Sequence, residues 1–258
     1  MSTGQELRRR SDGFRERGHQ VTRLEAFVDA SFAFALTLLV ISEDVPKSVD
    51  ALAASLLAVP GLLCSFALIA MFWFAHNTWS RRYGLDDMGS IVWSLALVFL
   101  VMVYVYPLRM LFGSLFGWLT SVTLPRELLT DEQWRAVWGY EVHGYADIRT
   151  MFVVYGIAWS TAGLVIAQLY RRAWRSRSVI GLDFEEEVST RAEIARWLVV
   201  PATGIVSVAV ALAMPSDPSG IPEALTGAPG FVYFGMFATH PVTVWAAKRA
   251  RVRYASEA

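Results

Sequence analysis

Very little of this 258-residue chain is charged: Asp, Glu, Lys and Arg together make up 18% of it, against roughly 25% in an ordinary soluble domain. The few charges gather in short blocks between long apolar runs, which excludes an evenly wetted surface. Lysine is almost absent, two residues against 21 arginines, and the formal net charge is zero. Phosphate binding needs a basic excess, so no nucleic-acid partner is expected. The single cysteine, Cys64, sits in an apolar run and excludes an intrachain disulfide and a thiolate metal site. Of the four histidines, His19, His76, His143 and His240, no two stand at the i, i+4 spacing of a zinc helix. An intramembrane enzyme would call for a serine or cysteine paired with histidine, or two acids face to face, within the spans, and enzyme is the weakest class for this sequence. No enzyme activity, cofactor or resident metal is expected.

Signatures of several transport classes are missing too. There is no TVGYG-type run, so a cation channel of this sequence must select with side chains. No span carries regularly spaced arginines, which excludes voltage sensing of the usual type. The two halves show no repeat, and no pair of spans is broken by Gly or Pro at matching positions, which counts against an inverted-repeat transporter. The opening "MSTGQELRRRSDGFRERGHQ" is too long and polar for the basic region of a signal peptide. The first apolar segment is therefore expected to remain in the mature protein.

What is present is hydrocarbon. Hydrophobic residues make up 55% of the chain, ten tryptophans among them, and the mean hydropathy is +0.40. Crossing a bilayer core takes roughly 20 residues of helix. Six segments reach that length, at about 23–42, 55–79, 88–112, 150–171, 196–214 and 229–247. None alternates as a barrel strand does, so each is read as a helix. With the N-terminus on the cytoplasmic side, 18 of the 23 Lys and Arg fall inside and five outside, as the positive-inside rule requires. The expected class is an all-α integral membrane protein of six transmembrane helices, with both termini cytoplasmic. An arm (1–22) precedes a membrane domain (23–247), and a tail (248–258) follows it.

The longest external segment, 113–149, carries Trp118, Trp134, Trp138, Tyr140 and Tyr145, which suit the headgroup level. Within it "ELLTDEQWRAVW" predicts an interfacial helix, with Thr130 as N-cap and "TDEQ" as a capping box. The 171–196 connection pairs "RRAWRSR" with "DFEEE" and reads as a solvated face of offsetting charges.

The first span, "RLEAFVDASFAFALTLLVI", holds Asp29 inside its first turns. On a wheel with Phe34 in front, Leu38 and Ile41 follow at i+4 and i+7, Thr37 flanks them, and Asp29 lies roughly 140° behind. Two readings fit this wheel. Either the apolar face meets lipid or a neighbour while Asp29 pairs with an interfacial arginine, or Asp29 turns inward. A buried carboxylate needs donors, and "MFWFAHNTW" in the second span offers Trp73, His76 and Asn77 on one face at matching depth. Trp79 is assigned to the headgroup belt.

These residues carry a resemblance. "RLEAFVDASFAFALTLLV" resembles the first-helix signature of the transmembrane protein 175 family of potassium channels: an arginine, three residues, Phe-Ser-Asp, then a run similar to "FAIAITLLV". Arg23, Phe27, Asp29 and Thr37 are in register. "FWFAHN" is similar to the family's Trp-x-x-His stretch, giving Trp73 and His76, and "VYPLRMLFG" to its proline-terminated third helix at Pro107. The likeness covers residues 23–112. It implies a homotetramer in a cell membrane, with the first helix lining a central potassium pore and no carbonyl filter. Phe34 would stand at the constriction, and a ring of Thr37 one turn outward would be linked to potassium preference, with potassium passing transiently near it. Leu38 and Ile41 would line the pore with them. Arg23, Phe27, Asp29, Trp73, His76 and Asn77 would form the network that holds the first helix.

Two positions depart from the family pattern. Val28 replaces the motif serine and removes a hydroxyl. Phe34 replaces an aliphatic residue, so a ring of four could close by dewetting or present ring faces to a cation. Glu43 and Asp44 would either draw cations to the outer mouth or form a solvated loop. The expected partners are potassium and other monovalent cations, the lipid bilayer and further copies of the chain. A proton-coupled transporter using Asp29 and His76 is the competing reading, and an interaction protein without transport the third.

Overall fold

Lipid offers a backbone no hydrogen-bonding partner, so apolar runs must close their bonds within helices. A computed structural model of the chain follows that rule; it describes residues 9, 11–18, 20–41, 47–131, 133–134, 144–215 and 226–257. Five helices are long and apolar enough to cross a membrane: α1 (Arg23–Ile41), α3 (Val59–Tyr83), α4 (Met88–Thr123), α5 (Tyr145–Arg175) and α6 (Phe184–Ala213). A nine-residue helix, α2 (Val49–Leu57), precedes α3 and is capped by Ser48, which accepts from the Ala51 amide. After α6 come a single turn, α7 (Ala228–Phe231), a 3-10 segment (Val232–Ala238) and α8 (Thr239–Glu257). No strand occurs among the described residues.

Three expectations are corrected. The helix expected to end near Pro107 runs 16 residues beyond it, to Thr123. Proline removes one backbone donor, and a helix inside a packed bundle tolerates that loss. The run "DFEEE" is not a solvated loop. Asp183 is the N-cap of α6 and forms a capping box with Glu186, each accepting from the other's amide at 3.0 Å. The expected span 229–247 is not one α-helix, because the 3-10 segment interrupts it.

The capping box expected at Thr130 is formed: the Gln133 amide donates to Thr130 Oγ1 at 3.3 Å, and the Thr130 amide to Gln133 Oε1 at 2.9 Å. Glu43, Asp44, Trp138 and Tyr140 lie outside the described residues.

The core joins one face of every crossing helix. Phe32 and Leu39 of α1 meet Phe72 and Trp79 of α3, Leu97 and Val105 of α4, Leu169 and Tyr170 of α5, and Trp197 of α6. Trp79 belongs here rather than in the headgroup belt. It is 1% exposed, and its indole donates to the Leu169 carbonyl at 2.8 Å. It falls one helical repeat after Phe72, on the covered face of α3, and a buried indole N–H must find an acceptor.

The most extensive pairing is α5 with α6. Small residues form its seam. A Cβ on Gly163 would lie 2.5 Å from Val200 Cγ1, and one on Gly204 would lie 2.7 Å from the Gly156 carbonyl oxygen. Backbones that approach this closely are held by van der Waals contact and local hydrogen bonds. Ser160 supplies such bonds, donating to Gly156 O at 2.6 Å and standing 3.2 Å from Pro201 O.

Candidate functional site: the open face of the first helix

Helix α1 is covered on one side only. Val28, Phe32, Ala35 and Leu39 are buried to 2% exposure or less, and so is Glu25. Opposite them, Ala26, Ala30, Ala33 and Thr37 are exposed, together with Phe27 (54%), Phe34 (52%) and Ile41 (68%). At 100° per residue these positions and Val40 span roughly 140° of the wheel. Small and bulky residues alternate along this face, and Thr37 carries its one hydroxyl. That hydroxyl donates to the Ala33 carbonyl at 2.9 Å, which leaves its oxygen lone pairs as an acceptor.

Of the four expected pore residues, Phe34, Thr37 and Ile41 share this face. Leu38 does not: it is half-buried and packs against the core. It sits at the edge of the open arc, where a neighbouring helix already covers it.

The expected network divides in two. Trp73 Nε1 donates to Asp29 Oδ1 at 2.8 Å and ties α1 to α3. His76 turns elsewhere, its Nε2 2.8 Å from Ser94 Oγ of α4, in a buried contact. Asn77 makes no side-chain hydrogen bond among the described residues, and Arg23 and Phe27 lie exposed on the open side of α1. Val28 is 0% exposed in the apolar core, so the hydroxyl of the motif serine is replaced here by buried hydrocarbon.

Sequence reasoning missed the groups that hold the two ends of α1. Arg109 of α4 donates to the Leu39 carbonyl at 3.2 Å, one of the acceptors a helix C-terminus leaves open. At the other end Arg81 Nε stands 3.1 Å from Glu25 Oε1. The N-terminal arm folds back over this end of the bundle. Arg15 and Arg17 both reach the Glu186 carboxylate, at 3.0 and 2.7 Å, and Phe14 is buried edge-on against Tyr83. The hydrogen bond to Glu186 raises the Arg15 guanidinium further above its ordinary range. Partial burial opposes the charge on Asp183, but bonds from the Glu186 amide and from Arg9 outweigh it and hold Asp183 below the usual carboxylate range. The sequence paired the "DFEEE" run with "RRAWRSR" of the same connection, and nothing in it said that the arm would reach one of these acids or which of them is buried.

No group of three or more His, Cys, Asp or Glu gathers as a metal site among the described residues. With five helices fit to cross a membrane and no strand among the described residues, the fold defines a helical membrane protein. Comparison with known proteins narrows the class. The family described as endosomal/lysosomal potassium channel TMEM175 matches residues 23–107. A potassium channel of Marivirga tractuosa is 31% identical over 228 residues, covering 86% of this chain and 85% of the relative. The chain belongs to the TMEM175 family of potassium channels. It is also similar to the crystal structure of a variant of the potassium channel MtTMEM175, solved in complex with a nanobody–MBP fusion protein. There the TM-score is 0.76 at 28% identity, over 97% of this chain and 100% of the other. A lysosomal potassium-selective TMEM175 homolog from Chamaesiphon minutus shares the fold, at TM-score 0.50 and 20% identity, over 88% of this chain and 96% of that one.

Proposed function

We propose that the chain forms a homotetrameric, potassium-permeable channel of the cell membrane, with α1 of each subunit lining a central pore. The observation that carries this is the open face of α1. Its Phe34 is half exposed and its Thr37 hydroxyl oxygen is free to accept, while the opposite side of the same helix is buried. Four such faces around an axis bury one another's apolar side chains and enclose a narrow passage. A ring of Phe34 makes a hydrophobic constriction, and Thr37 one turn outward offers oxygen to a dehydrated cation. Selection then rests on side chains and requires no carbonyl filter.

The 229–247 stretch makes the sixth crossing. A 3-10 helix rises about 2.0 Å per residue and an α-helix 1.5 Å, so the stretch with its 3-10 insert is about 32 Å long, enough for a core of about 30 Å. Six crossings and the arginine distribution support cytoplasmic termini. The transporter reading loses its support: His76 is bonded to Ser94, and no hydrogen bond links it to Asp29.

The test is potassium and sodium flux from loaded liposomes containing the full chain. Phe34→Ala is expected to raise potassium flux, and Thr37→Ala to lower the potassium-to-sodium ratio. Flux unchanged in both variants overturns the reading, and light scattering of the purified protein checks the tetramer.

A further inference from the structure

The N-terminal arm crosses the end of α3 where two glycines make room. A Cβ on Gly18 would lie 2.9 Å from the Ser80 carbonyl oxygen. Gly84, with a φ of +58° that favours glycine, closes α3, and a Cβ there would lie 3.1 Å from the Arg17 carbonyl oxygen. At this crossing the Arg17 and Gly18 amides donate to the Arg81 carbonyl at 3.3 and 3.2 Å. Arg81 Nη1 returns a hydrogen bond to the Gly18 carbonyl at 3.0 Å. The same guanidinium holds Glu25, which is 2% exposed on the covered side of α1. Arg17 then grips both oxygens of Glu186, at 3.0 and 2.7 Å, and Glu186 is 1% exposed.

We infer that Arg81 and Glu186 are positioning residues for conduction: with Arg17 they latch the arm and the first turn of α1 to α3 and α6. The inference rests on α1 being the pore helix. The latch grips α1 from behind, opposite Phe27 and Phe34, and so draws the arm end of α1 back from its own open face. A buried carboxylate that loses its partners is strongly destabilised, which keeps the latch closed in the folded protein. Released, that end of α1 is free to move toward its open face and narrow the passage.

The experiment uses the full chain in liposomes, with a nitroxide on Ser11→Cys in a Cys64→Ala background, Cys64 being the sole native cysteine. Label mobility reports the arm, and potassium flux per folded protein reports conduction. The wild-type label is expected to be immobilised. In Glu186→Gln the label becomes mobile, flux falls by roughly fivefold or more, the lower end of ordinary coupling between sites, and the potassium-to-sodium ratio stays constant. Arg17→Gln, outside every helix, is expected to do the same and serves if Glu186→Gln does not fold. A mobile label with unchanged flux overturns the inference, because a merely structural contact alters yield and not flux per folded protein. So does a label that is mobile in the wild type or immobilised in both variants. Phe34→Ala is run alongside: unaltered flux there removes the pore reading and this inference with it, whereas the outcomes above remove the inference alone.

Discussion

The α5–α6 pair and α1 are made of similar apolar residues and are finished differently. In the most apolar stretch of α5, 50% of positions are buried within the chain, and in that of α1, 28%. The α5–α6 seam is complete: glycines let two backbones touch, and Ser160 and Thr203 find acceptors inside the seam. Helix α1 is held from behind by Trp73, Arg81 and Arg109, while its front carries alanines, phenylalanines and one threonine that stay exposed among the described residues. A region that satisfies itself builds the subunit. Helix α1 is satisfied on one side only, and under the proposed reading its open face lines the pore.

The sharpest way to break this contrast is Gly204→Val. Its new side chain has no room beside Ser160 and the Gly156 carbonyl, so overpacking should cost up to about 3 kcal/mol, read as a fall in thermal midpoint in detergent. Trp73→Phe comes next. It leaves Asp29 without its 2.8 Å donor, and with both groups partly exposed the loss should be about 1 kcal/mol, seen by the same measurement. Phe34→Ala sharpens the contrast from the other side. On a face left open within its own chain it should change the stability of the isolated, detergent-dissociated chain by no more than about 0.5 kcal/mol, while flux of the assembled protein rises; a loss in the isolated chain as large as that of Gly204→Val would mean that the chain itself covers the face. The smallest effect is expected from Arg251→Gln. Its pair with Glu185 spans 2.7 Å but is more than half exposed on both sides, so unfolding should be unchanged within about 0.5 kcal/mol.

Much of this site was legible in the chain. The wheel put Phe34, Thr37 and Ile41 together, and matched depth and donor chemistry pointed Trp73 at Asp29. The wheel could not say where the covered arc ends, so it put Leu38 on the same face, whereas it is half-buried against the core. Nor could it direct His76, which stands about 60° around α3 from Trp73 and meets α4 instead of α1. Glu25 and Glu186 were overlooked for one reason: an acid in a balanced run of charges looks solvated until the chain that buries it is in place.

The sequence by itself determined that long apolar helices occupy five of the six expected spans, though not where each one ends, and that α1 resembles the first-helix motif of its family. A backbone in lipid must close its hydrogen bonds locally, so length and hydrophobicity suffice for that. Only the tertiary structure decided which side of each helix is covered, where the 232–238 segment tightens into a 3-10 helix, and that the arm seats on Glu186, 169 residues beyond Arg17. Such contacts form between groups far apart in the chain, and close packing alone chooses which of them meet.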